Sequence, residues 1–142
     1  MASADAERRP VLLVPGFSGQ DLVYWNVFRR RLERDGYHAF ALTLPGLALQ
    51  DIATSARMLD RRIREVLDAT GGDKLHLIGH SLGGLAMRTY LSEQNGSAPV
   101  GVCATLGTPH QGTLAALPAL LRPAGRQMLP GSSFLQDLEA EP

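Results

Sequence analysis

A short apolar run, Lys74 to Ile78 (KLHLI), leads directly into Gly79-His80-Ser81-Leu82-Gly83, and a helical pattern leads out of it. A strand that becomes a helix over so few residues forces the central residue into a strained backbone conformation. Its side chain is lifted above the sheet, and only small neighbours leave room for the bend. Gly79 and Gly83 meet that requirement, and Ser81 is the residue lifted. In a chain with 15 glycines, G-x-S-x-G alone arises easily by chance. Its context is what constrains the fold: the breaker pair Gly71-Gly72 precedes the run, and Leu82 to Asn95 carries Leu85, Tyr90 and Leu91 at helical spacing.

The rest of the chain repeats the alternation. Val11 to Val14 (VLLV) is continuously apolar and ends at Pro15-Gly16, the pattern of a strand buried on both faces of a parallel sheet. Trp25, Phe28 and Leu32 fall on one helix face, and Gly36 stands where a left-handed C-cap is wanted. Ala39 to Leu44 predicts a second strand, broken by Pro45-Gly46. Asp51 can cap a long helix whose apolar residues are Ile52, Ala56, Leu59, Ile63, Val66 and Leu67, with Arg57, Asp60, Arg61, Arg64 and Glu65 on its outer face. After a break at Ser97 to Pro99, Val100 to Leu106 (VGVCATL) predicts a fourth strand. This order implies an α/β fold, an open parallel sheet with helices on both faces and its ligand site beyond the carboxyl ends of the strands. Pro15-Gly16-Phe17, Ser81 and Gly107-Thr108-Pro109-His110 each follow a strand, so all three are expected to gather at one edge.

Composition narrows the function classes. The 142 residues carry 14 basic and 14 acidic side chains, which gives no electrostatic footprint for nucleic acid or an anionic membrane. Arg29-Arg30-Arg31 is expected to form a solvated helix face. Cys103 has no partner for an internal disulfide, and its neighbours Val102 and Ala104 predict a buried small side chain. The first nine residues are expected to be a polar tail ahead of one domain spanning 10–142. No apolar run is long enough for a membrane span, and the N-terminus lacks a signal-peptide core, so a cytoplasmic location is expected if Met1 is the true start. The four histidines and one cysteine show no metal-ligand spacing, and VPGFSGQ lacks the ending of a phosphate loop. No metal or cofactor is expected.

The pieces VLLVPGF, LIGHSLGG, TLGTPHQGT and PGSSFLQDL, in that order, resemble the α/β-hydrolase fold, and more narrowly its bacterial triacylglycerol lipases and esterases. The resemblance runs from Pro10 to about Leu138. It implies that Ser81 attacks an ester carbonyl of a lipid-like or acyl-chain substrate and forms an acyl-enzyme. The N–H groups of Leu82 and Phe17 would then stabilise the oxyanion. Many relatives have His-Gly where this chain has Pro15-Gly16, a departure within the oxyanion loop.

The fold presents its triad in the order Ser, acid, His, yet no histidine follows His110, and the later acids are Asp137, Glu139 and Glu141. The expectation is therefore the N-terminal part of a hydrolase domain whose C-terminal strands are missing. The competing expectations are an inactive homologue, or an acyltransferase or thioesterase using the same serine. His110 is expected to pack its loop, His80 to point away from the reacting face, His76 to be structural and His38 to be an ordinary loop residue. The fourth strand would present an unpaired edge, a route to self-association. Leu114 to Leu121 (LAALPALL) reads either as a lid presenting leucines to an acyl chain or as a short packed helix stopped and restarted by Pro118.

Overall fold

The computed structural model describes residues 9–17, 22–93 and 99–140. Four strands, β1 (Val11–Val14), β2 (Ala39–Ala41), β3 (Leu75–His80) and β4 (Val100–Leu106), form one sheet in the order β2-β1-β3-β4, and every neighbouring pair is parallel. Three helices connect them: α1 (Leu22–Arg34), α2 (Ile52–Thr70) and α3 (Leu82–Glu93). After β4 come a 3-10 helix, Leu114–Ala119, and the short helices α4 (Pro123–Gln127) and α5 (Ser133–Ala140).

The period of two in β1 divides the core. Val11 and Leu13 face Trp25, Phe28 and Leu32 of α1, whereas Leu12 and Val14 face the larger cluster built on α2 and α3. Helices therefore cover both faces, as the alternation predicts. In α2, Asp51 Oδ1 accepts from Ala53 N at 2.7 Å, and Gly71 ends the helix at φ 67. Ile52, Leu59, Ile63 and Val66 of this helix are at most 1% exposed. Each such side chain contributes about 1.5–3 kcal/mol relative to exposure. An exposed ion pair such as Arg62–Glu65 contributes about 0–1 kcal/mol, so apolar burial and not charge holds α2 down. A cap not visible in the sequence adds to it: Gln127 Oε1 accepts from Ile52 N at 2.9 Å and docks α4 against the start of α2.

Four expectations change. The second strand is shorter than Ala39 to Leu44: the ladder ends at Ala41, although Leu42 and Leu44 remain buried as the chain turns into the core. Cys103 is exposed, because β4 lies at the sheet edge and its stretch Gly101 to Cys103 is left uncovered, although Val100 packs against the core. Pro118 lies inside the 3-10 helix and does not interrupt it. Of the arginine cluster, Arg30 and Arg31 are exposed, but Arg29 turns partly inward. The segment 94–98 and the tail 1–8 fall outside the described residues, as does Glu141.

His76 is structural, as expected, and the reason is specific. Leu75 pairs with Val100 but Leu77 pairs with Cys103, so His76 stands opposite two residues of β4. Its Nδ1 accepts from the Val102 N–H at 3.0 Å, supplying to this bulge an acceptor that the ladder does not.

Candidate active site

Ser81 has φ 52, one of two positive-φ residues other than glycine among the described residues. It sits between the last residue of β3 and the first of α3, with Ser81 N donating to Leu106 O at 2.9 Å and Gly84 N donating to Ser81 O at 3.1 Å. These bonds clamp the strained turn from both sides, and a left-handed serine persists only where its surroundings hold it. The tightness of the turn explains its glycines. A Cβ at Gly83 would stand 2.3 Å from Val14 O and 2.6 Å from Pro15 O, and one at Gly79 would stand 2.9 Å from Gly84 N. Gly84 is needed too: a Cβ there would overlap the side chain of Thr108.

The loop after β1 closes over the same turn. A Cβ at Gly16 would lie 2.9 Å from Ser81 Cβ and 3.4 Å from Leu82 N. The backbone leading to Phe17 thus runs against both the serine and the first N–H of α3. Leu82 itself is buried, while the side chain of Phe17 is 53% exposed. The helix N-terminus at Leu82 adds its positive end to this corner. With the loop after β4 held to the elbow by Thr108 and Leu106, the three segments meet at one sheet edge as the sequence predicts.

The histidines do different work. His80 packs edge-on to Trp25, with ring centroids 6.2 Å apart at 85°, and also lies 6.1 Å from Tyr24, so its ring is directed to α1. In His110, Nε2 lies 3.0 Å from Thr105 Oγ1 and Nδ1 lies 3.5 Å from Arg88 Nη1. Guanidinium only donates, so Nδ1 is the acceptor and Nε2 carries the proton toward Thr105. Arg88 also donates to Leu138 O at 3.3 Å, tying the elbow helix to α5. Asp137 and Glu139 are exposed on α5, and Glu139 shares a crevice of about 350 Å³ with His110. Among the described residues, Ser81 Oγ has no hydrogen bond to an imidazole or a carboxylate.

Sequence reasoning missed Arg88 and, although it placed the Gly107-Thr108-Pro109-His110 loop at the site, the contact that Thr108 makes with the elbow helix. Arg88 had no signal of its own, since one arginine on a helix is ordinary. Thr108 had one in Gly84, a third glycine just inside a helix, which marks a close approach from outside. Thr108 Oγ1 is buried without a hydrogen bond at that approach. Among the described residues no cluster of three or more His, Cys, Asp or Glu could hold a metal ion, and no helix is long and apolar enough to cross a membrane.

Residues 9–128 match the profile of a family described as alpha/beta hydrolase fold. Over 116 residues the chain is 36% identical to a triacylglycerol lipase of Pseudarthrobacter phenanthrenivorans, covering 76% of this chain and 35% of that protein. It is equally similar to a triacylglycerol lipase of Burkholderia plantarii, covering 31% of it. The chain thus spans about a third of the length of the curated relatives it matches. Among solved structures, the mature Bacillus licheniformis lipase BlEst2 superposes with a TM-score of 0.79 at 23% identity, over 95% of this chain and 61% of that one. Aspergillus fumigatus lipase B gives 0.81 at 18% identity, over 94% and 34%.

Proposed function

The chain belongs to the alpha/beta hydrolase fold family, and from that membership and the geometry of its elbow we propose that it carries the nucleophile of a carboxylic-ester hydrolase acting on lipid-like or acyl-chain substrates. The observation that carries the reading is Ser81 at φ 52, on the β3–α3 turn, with the Gly16 backbone packed against it.

In the proposed reaction Ser81 Oγ adds to the ester carbonyl carbon and its proton passes to a general base. The carbonyl oxygen becomes an oxyanion that accepts from the N–H groups of Leu82 and Phe17. Collapse breaks the carbon–oxygen bond to the alcohol, which leaves with that proton, and water then releases the acid from the acyl-serine. The triacylglycerol lipases among its relatives favour a lipid ester over a small polar one. The segment after β4 supports the same choice. Its 3-10 helix repeats every three residues, so Leu114, Leu117 and Leu120 align on one face, 67%, 49% and 38% exposed, with Leu121 beside them at 93%. Such a ridge suits contact with an acyl chain and favours the lid reading over the packed helix.

One observation favours an alternative in which this chain is inert alone: both ring nitrogens of His110 are engaged away from Ser81. Labelling with a fluorescent fluorophosphonate, read by intact mass beside Ser81→Ala, decides between them. Labelling of wild type only supports the proposal; equal labelling of Ser81→Ala overturns it, and an unlabelled folded wild type supports the inert alternative. Parallel rates on p-nitrophenyl esters and acyl-CoA thioesters separate ester hydrolysis from thioesterase or acyl-transfer chemistry.

A further inference from the structure

We infer that Arg88 and His110 are positioning residues for Ser81: together they clasp the loop after β4 against α3, and the clasp closes only while the His110 imidazole is neutral. Ser81, Gly84 and Arg88 fall at i, i+3 and i+7, so they share one face of α3 and of the turn that starts it. The loop meets that face at every second residue. Leu106 O accepts from Ser81 N at 2.9 Å, the Thr108 side chain fills the space beside Gly84, and the His110 ring stands 3.5 Å from Arg88 Nη1. Gly107, at φ 56, makes the turn between the first two contacts.

The middle contact is steric alone, because Thr108 Oγ1 is buried without a hydrogen bond. Its hold on Gly84 therefore depends on the residue two places on. His110 N donates to Thr108 O at 2.9 Å, which ties the threonine to the residue that carries the ring, and Gly84 N in turn donates to Ser81 O at 3.1 Å. A displacement of the ring thus reaches the serine through two backbone hydrogen bonds and one packed side chain. The ring is held at both nitrogens: Nε2–H donates to Thr105 Oγ1 at 3.0 Å, and Nδ1 accepts from Arg88, which is fixed from behind by Leu138 O at 3.3 Å. Protonation reverses this. The Nδ1 lone pair becomes an N–H aimed at a guanidinium that has only donors, so a hydrogen bond gives way to two cations in contact. Glu139 of α5, the other charged residue at the ring's crevice, is exposed and screened by solvent, and Gln111 and Gln136 beside it are neutral.

The catalytic consequence rests on the reading of Ser81 as the nucleophile, whereas the coupling of ring to elbow does not, so the test reads the coupling directly. Hydrogen exchange of the Ser81 and Gly84 amides is measured by ¹⁵N–¹H spectra of the 142-residue chain at about pH 8 and about pH 5, either side of imidazole titration, and corrected for intrinsic rates. The His110 ring protons report its protonation in the same samples. Protection of both amides in wild type should fall about tenfold on acidification, the loss of one charge-assisted hydrogen bond, while the amides of β1 keep theirs. His110→Asn sets an uncharged carbonyl oxygen where Nδ1 stands, so its protection should be the same at both pH values; Arg88→Met should be low at both. Wild-type protection that stays constant as the ring titrates overturns the proposal. So does a fall that the β1 amides share equally, or one that His110→Asn shows in full. Fluorophosphonate labelling of Ser81 is scored separately, and its absence bears on the nucleophile and not on the clasp.

Discussion

Gly83→Ala tests whether steric closure, and not glycine's flexibility, is what the elbow requires. Gly83 has no positive φ, so alanine adds bulk there without backbone strain. The added methyl would meet Val14 O at 2.3 Å and Pro15 O at 2.6 Å, both backbone atoms at the end of the central strand β1. Ordinary contact requires a retreat of roughly 1 Å, and no side-chain rotation can supply it. Overpacking of this kind costs up to about 3 kcal/mol, which for a chain of this size lowers Tm by roughly 6–12 °C. Gly71→Ala is the matched control: φ is 67, but nothing lies within 4 Å of the added methyl. It should cost only about 1 kcal/mol, or roughly 2–4 °C. Thermal and urea unfolding followed by circular dichroism measure both variants. If Gly83→Ala melts with wild type, or no lower than Gly71→Ala, the steric account of the elbow is wrong. A 1 Å displacement between the Phe17 loop and Leu82 should also slow any Ser81-dependent labelling on the order of 100-fold.

Ser81→Gly should raise stability by about 1 kcal/mol, because glycine takes φ 52 without strain, while abolishing fluorophosphonate labelling; a less stable variant would mean that the serine is not strained. His76→Leu leaves the Val102 N–H without its acceptor and should lower unfolding free energy by about 1 kcal/mol in urea titration. Burial pushes the Tyr90 phenol above its ordinary value, an effect the Arg64 guanidinium partly offsets. The unfolded state therefore ionises first as pH rises, so this contribution is complete below the ordinary tyrosine range and is lost on passing through it; Tyr90→Phe should flatten that alkaline decline in Tm. Val102→Lys places a charge on the exposed edge strand, where Val102 is 58% exposed, and should reduce any self-association seen by sedimentation velocity.

What the sequence made legible follows from which interactions are local. The strands at Val11–Val14 and Val100–Leu106 and the Asp51 cap of α2 each depend on residues within a few positions, so pattern reading finds them. The elbow was legible for the same reason, since its strand, serine, glycines and helix are contiguous. The errors occur where a distant segment decides. Apolar neighbours made Cys103 look buried, but a strand is buried only if something lies beyond it, and β4 stands at the sheet edge. Ala39 to Leu44 has the composition of one strand, yet pairing with β1 ends at Ala41 because β1 itself reaches Pro15-Gly16 and turns toward Ser81. The last bond to β1 is Leu42 N donating to Leu13 O at 2.9 Å, and beyond it Leu42 and Leu44 still pack into the core, so burial outlasts pairing and composition alone overstates the strand.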